Sequence, residues 1–158
     1  LKMIYNHKHS MYFREYVMQT NKPLYHFGFG LSYTQFEISE PKIKSSIFKN
    51  DTLYVSVNIK NVGSMSGDEV VQLYISDRYA SITRPVKELK AYKRISLDPG
   101  ESKEIIFQLD KSAFAFYDSH MEYIVEAGDF DIHIGNSSKE EDLKSISIDI
   151  EKTIYITK

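Results

Sequence analysis

Residues 51–77 read DTLYVSVNIKNVGSMSGDEVVQLYISD. Leu53, Val55, Val57 and Ile59 fall on one side of an extended chain, with Tyr54, Ser56, Asn58 and Lys60 on the other. Period-2 alternation of this kind predicts a strand with one buried and one wet face. Asn61–Asp68, NVGSMSGD, holds two glycines in a polar cluster and reads as a turn. Val71, Leu73 and Ile75 then alternate with Val70, Gln72 and Tyr74. This second run is apolar on both sides over part of its length, which predicts a central strand.

The same rhythm extends outward. Phe36 and Ile38 alternate with Glu37 and Ser39 until Pro41 interrupts, as on an edge strand or at a bulge. Lys90–Leu97 reads as a strand ending at the turn Asp98-Pro99-Gly100-Glu101, where proline pre-sets φ and glycine supplies φ > 0. Ile105, Phe107 and Leu109 alternate, as do Phe130, Ile132 and Ile134, and then Ile146, Ile148 and Ile150. Asp118-Ser119-His120 is a turn between two extended pieces. His133 points away from the predicted core of its strand and is expected to be exposed. Seven or eight short strands, with turns every 8–12 residues, predict an all-β, immunoglobulin or fibronectin type III-like antiparallel β-sandwich. The predicted sandwich spans residues 34–150. Residues 1–33 read as an irregular linker arm and the tail of a preceding domain, with a helix possible over Met11–Met18. Residues 151–158 read as a C-terminal tail or an extra strand.

Composition narrows the function. The 158 residues carry a formal net charge of -2, which favours neither nucleic acid nor an anionic membrane. No apolar run approaches the ~20 residues of a membrane span. With no cysteine there is no disulfide, no thiolate metal site and no disulfide-bearing immunoglobulin signature. The chain opens on Leu1 without a signal-peptide pattern, and reads as a fragment of something longer. The aromatic content is 12 Tyr, 9 Phe and no Trp. Four of these rings lie in Pro23–Thr34, PLYHFGFGLSYT, together with two glycines and a single titratable side chain in the charge-bearing class, His26. Such a segment is expected to pack against a neighbour.

Four blocks, in order, resemble the C-terminal region of family 3 glycoside hydrolases of the β-glucosidase and β-xylosidase type. PLYHFGFGLSYTQFE from Pro23 is similar to the family's Pro-Leu-Tyr-Pro-Phe-Gly-Tyr-Gly-Leu-Ser-Tyr-Thr-x-Phe. NVGSMSGDEVVQLYISD from Asn61, RPVKELKAYKRISLDPGES from Arg84 and VEAGDFDIHIGNSS from Val125 resemble the blocks that follow it. IYNHKHS from Ile4 resembles the segment leaving the preceding catalytic domain. His26 stands where the family usually has proline, Phe29 where it has tyrosine, and Ala91 where it has glycine.

The resemblance implies a fibronectin type III-like accessory domain whose partners are the catalytic domains of the same parent chain. The catalytic Asp and Glu of the family precede the matched region, so no catalytic residue, cofactor or metal is expected here. The expected contact surface is Tyr25, Phe27, Phe29 and Tyr33, with Tyr79, Arg84 and Pro85 of a long 78–88 loop. Arg84 is expected to clamp a carboxylate across the interface. No nucleic-acid or membrane partner is expected. A periplasmic or extracellular bacterial parent is the expectation, with the cytoplasm open, because any export signal would lie upstream.

Sharper chemical readings are weaker. Asp68 and Glu69 are adjacent, and on a strand they face opposite ways, which separates them as an acid/base pair. His7 and His9 have one-face spacing but lack nearby ligands for zinc. Asp118, Ser119 and His120 are triad letters without triad geometry. Asn50 and Asn136 each begin a glycosylation sequon. A carbohydrate-binding module, with weak carbohydrate contact, is the alternative function, since exposed tyrosines such as Tyr54, Tyr79 and Tyr92 stack on sugar faces; an unrelated adhesin-like sandwich is another.

Overall fold

The computed structural model describes residues 23–44 and 52–156. The Met11–Met18 segment, His7, His9 and Asn50 lie outside the described residues. Eleven strands run in chain order among the described residues. They are β1 (Phe36–Ile38), β2 (Lys42–Ile43), β3 (Thr52–Asn61), β4 (Gly67–Asp77), β5 (Glu88–Leu97), β6 (Ser102–Asp110), β7 (Phe116–Tyr117), β8 (Tyr123–Val125), β9 (Gly128–Gly135), β10 (Leu143–Ile150) and β11 (Ile154–Tyr155).

Two antiparallel sheets form the sandwich. In the first, β3 is the spine: β6 pairs along one edge, while β1 and β2 share the other. Pro41 lies at the gap between β1 and β2, where a missing N–H costs no ladder bond on an edge. The second sheet has the order β10-β9-β4-β5, so β4 is interior, as its two-sided apolar pattern predicts. Leu73 faces Ala91 but Tyr74 faces Leu89, which leaves Lys90 as a bulge on the edge strand β5. A small sheet, β11-β8-β7, closes one end.

The alternating residues meet between the sheets. Leu53, Val55, Val57 and Ile59 of β3 and Ile105, Phe107 and Leu109 of β6 belong to one core cluster. Val71, Leu73 and Ile75 of β4 and Phe130, Ile132 and Ile134 of β9 complete it from the opposite layer. Phe114 meets Phe130 edge-to-face at 5.5 Å between ring centroids, a favoured aromatic geometry.

The turn after β3 is organised by Asn61, which is fully buried. Its Oδ1 accepts from Thr34 Oγ1 at 2.7 Å and from the Gly63 N–H at 3.0 Å. Its Nδ2 donates to the carbonyls of Met65 at 2.8 Å and Leu97 at 3.0 Å. Gly63 is needed here because a Cβ would lie 2.2 Å from Thr34 Oγ1. One side chain thus fastens the end of the arm, the β3–β4 turn and the end of β5.

His133 departs from expectation. It is only 9% exposed, because β9 is an interior strand with β4 and β10 on either side. Its two ring nitrogens lie 3.0 Å from Ser76 Oγ and 2.7 Å from Ser145 Oγ, linking β4, β9 and β10. Burial, followed by the Lys87 charge, pushes its pKa below the ordinary histidine value.

Candidate docking face

The aromatic arm lies on the outer face of the second sheet and is fastened by its backbone. Gln72, on the outward side of β4, is buried. Its Nε2 donates to the Gly28 carbonyl at 3.0 Å and to the Asn136 carbonyl at 2.7 Å. The Ser138 N–H donates to the Phe27 carbonyl at 2.8 Å. The arm turns where the Phe29 N–H reaches the His26 carbonyl at 3.0 Å, with Gly28 at φ +77°. A Cβ on Gly28 would lie 1.9 Å from Gln72 Oε1, so a side chain is excluded by both space and backbone conformation.

With the backbone held inward, the side chains project outward. Leu24 is 88% exposed, Leu31 92% and Tyr33 96%; Tyr25, Phe27 and Phe29 are also exposed. Tyr25 and Phe29 lie 5.1 Å apart between ring centroids. Phe27, Phe29 and Leu31 line an open cleft of about 410 Å³ with Val70, Leu89 and Tyr92 of β4 and β5. Exposed apolar side chains thus border the cleft from both the arm and the sheet.

Asp68 and Glu69 both border that cleft, but their side chains engage different partners. The Glu69 side chain bends back: Oε1 accepts from the Val70 N–H at 2.9 Å and Oε2 from Asn136 Nδ2 at 3.2 Å. Asp68 accepts from Ser96 and Arg94. These bonds, Ser96 first and then Arg94, hold the Asp68 carboxyl below its usual range, the reverse of what a general acid needs.

The 78–88 loop divides in two. Tyr79 is 81% exposed, whereas the Arg84 side chain is 8% exposed. The clamp expected of Arg84 closes within this chain. Its Nη1 meets Asp77 Oδ2 at 2.9 Å and the Phe114 carbonyl at 3.2 Å, and Nη2 meets Glu88 Oε2 at 3.2 Å. The guanidinium also sits 4.8 Å from the Phe116 ring centroid. Pro85 beside it is half-buried. The Ser81 N–H donates to Glu126 Oε2 at 2.8 Å, tying the loop to the small-sheet end.

The remaining candidates sort simply. Asp118 Oδ1 accepts from the His120 and Glu122 N–H groups and holds a hairpin turn. His120 in that turn is exposed. Among the described residues, no group of three or more His, Asp or Glu is placed to hold a metal. Neither Asn61 nor Gln72 announces its role in the sequence. Gln72 leaves a trace there, as an amide amid the apolar residues of a central strand.

Two sheets of this order, with these strands and no disulfide, define an immunoglobulin-type β-sandwich. Residues 69–138 match the fibronectin type III-like domain family. The chain is 45% identical over 148 residues to thermostable β-glucosidase B of Acetivibrio thermocellus, covering 92% of this chain and 20% of that protein. It is 44% identical over 138 residues to a β-xylosidase of Formosa agariphila, covering 87% of this chain and 19% of the relative. The crystal structure of a β-glucosidase from Listeria innocua in complex with glucose superposes with a TM-score of 0.84 at 35% identity, over 93% of this chain and 22% of that one. The chain belongs with the fibronectin type III-like domains of family 3 glycoside hydrolases. It spans about a fifth of the length of these relatives.

Proposed function

We propose that this is a non-catalytic accessory domain of a β-glucosidase-type glycoside hydrolase. It docks on the catalytic domains of the same parent chain and holds them in place. The parent releases terminal β-linked sugars from oligosaccharides or glycosides, with its catalytic Asp and Glu supplied outside this chain. The observation that carries this reading is the 23–33 arm. Its backbone is fastened to the sheet at Gly28 and Phe27, while its aromatic and leucine side chains face outward. A backbone already fixed needs no ordering on association, which lowers the entropy cost of docking. Interfaces between domains of one chain bury roughly 600–1,500 Å².

A dye titration tests the reading. The chain by itself binds a fluorescent hydrophobic dye, and the triple variant Leu24→Ser, Leu31→Ser, Tyr33→Ser loses most of that signal with an unchanged melting temperature. Within a full-length hydrolase carrying this domain, the same variant lowers the melting temperature of the catalytic part. A full-length variant that melts and turns over like the parent would overturn the reading.

A further inference from the structure

A second cleft, of about 310 Å³, lies toward the other end of β4 from the aromatic arm. Ser76, Arg78, Tyr79, Lys87, Asp131 and Glu140 line it, together with the buried His133. Its charges are matched in pairs. Arg78 binds Asp131 in a two-pronged bridge, Nε to Oδ2 at 2.8 Å and Nη2 to Oδ1 at 2.7 Å. Lys87 Nζ binds Glu140 Oε2 at 2.7 Å. Asp77, which also borders the cleft, is neutralised by the Arg84 guanidinium. Two cations facing two anions leave little net field for an ionic ligand.

The cleft is nevertheless rich in fixed polar groups. Asp131 is held by Arg78 and by Ser147 Oγ at 2.6 Å, so its carboxylate is already oriented. Arg78 Nη1 takes no part in its bridges to Asp131 and Ser147, and Lys87, bonded to Glu140 and to the Ser138 carbonyl at 3.2 Å, has a third N–H to donate. The Tyr79 ring is exposed beside these groups, with its own N–H secured by Asp77 Oδ1 at 3.1 Å. A tyrosine offers an apolar face with few rotatable bonds to immobilise. One stacking ring, several preoriented donors and acceptors and a balanced charge together match a ligand with an apolar C–H face and a rim of neutral hydroxyls.

We infer that this cleft binds a neutral pyranoside, with Tyr79 against the sugar face and Arg78, Lys87 and Asp131 bonded to its hydroxyls. The volume is at the lower end of small-molecule sites, roughly 300–1,000 Å³, and suits one sugar ring with part of a second. An open cleft of this size gives weak binding, with a dissociation constant on the order of millimolar. The site is separate from the arm, so it stands or falls independently of the docking proposal.

The experiment is an NMR titration of the 158-residue chain with cellobiose and with xylobiose, with inorganic phosphate as the ionic control. Saturable shifts are expected at residues 76–79, 87, 131–133 and 140 with at least one disaccharide, and the tighter of the two identifies the sugar series. Tyr79→Ala weakens that binding about tenfold, with the melting temperature unchanged because the ring is exposed. Arg78→Met weakens it also, whereas Tyr25→Ser leaves it intact. The inference is overturned if neither sugar gives saturable shifts, if phosphate saturates the cleft as well as the sugars do, or if Tyr79→Ala binds like the parent.

Discussion

Asn61 uses both acceptor positions and both donor positions of its amide, all inside the protein. Asn61→Ala strands a buried hydroxyl, an N–H and two carbonyls at once. The expected loss is about 3 kcal/mol or more, read as a lower urea midpoint at unchanged slope. Gly28→Ala meets Gln72 Oε1 and requires φ +77° of a residue with a Cβ; about 2 kcal/mol is expected, with the arm's amides losing hydrogen-exchange protection first. His133 supplies a pH dependence whose direction follows from its surroundings. Burial and Lys87 lower its pKa in the folded state, so the unfolded chain takes up a proton at higher pH. Stability is therefore full above the ordinary histidine value of about 6.5 and falls as pH drops below it. Asp131 and Glu140 are held below their usual ranges, chiefly by Arg78 and by Lys87, so their losses come at lower pH and separate from this one. A denaturation series from pH 8 to about 5 should slope downward for the parent and flatten for His133→Gln.

At the scale of elements, the Arg84 hub decides how the 78–88 loop behaves. Its guanidinium and the Asp77 carboxylate are both nearly buried, and removing one partner of such a pair leaves the other uncompensated. Arg84→Ala is expected to cost about 3 kcal/mol and to open the loop to proteolysis between 78 and 88; an uncut, equally stable variant would show that the loop is held by other contacts. The strands themselves were legible from the sequence. Alternation found β3, β6, β9 and β10, and the apolar second side of β4 put it in the interior. What alternation cannot give is what covers a face. His133 reads as outward, and it is outward, but its ring is buried between Ser76 and Ser145 of the flanking strands. Glu69 reads as turned away from Asp68, and the two do bond different partners; that Glu69 meets Asn136 is a contact 67 residues away in sequence. Arg84 reads as a clamp on a carboxylate across an interface, because its partners within the chain, Asp77 and Glu88, come together only when β4 and β5 pair. The arm's fastening depends on Gly28 meeting Gln72 across 44 residues, a contact no local pattern announces.

For the molecule as a whole, the proposed division of labour has a direct consequence. The chain by itself should release no product from an aryl β-glucoside, at any pH between 4 and 8, since the proposed catalytic pair belongs to the rest of the parent. Turnover that survives purification and is lost with a substitution in this chain would contradict the accessory assignment. The two outward regions of the second sheet, the apolar arm and the polar Tyr79 cleft, share β4 as a common spine.

The way the arm is fastened also bears on how such a domain diversifies. Gln72 grips the arm through a main-chain carbonyl, and Ser138 through another. Neither grip depends on which rings the arm carries; only Gly28 is constrained by geometry. If the arm docks as proposed, its exposed side chains can change with the surface opposite while the path of the chain stays put. Phe29, exposed where the family usually has tyrosine, is a substitution of this kind. The segment resembles a rail with exchangeable fittings, which would let one sandwich follow a changing partner without refolding.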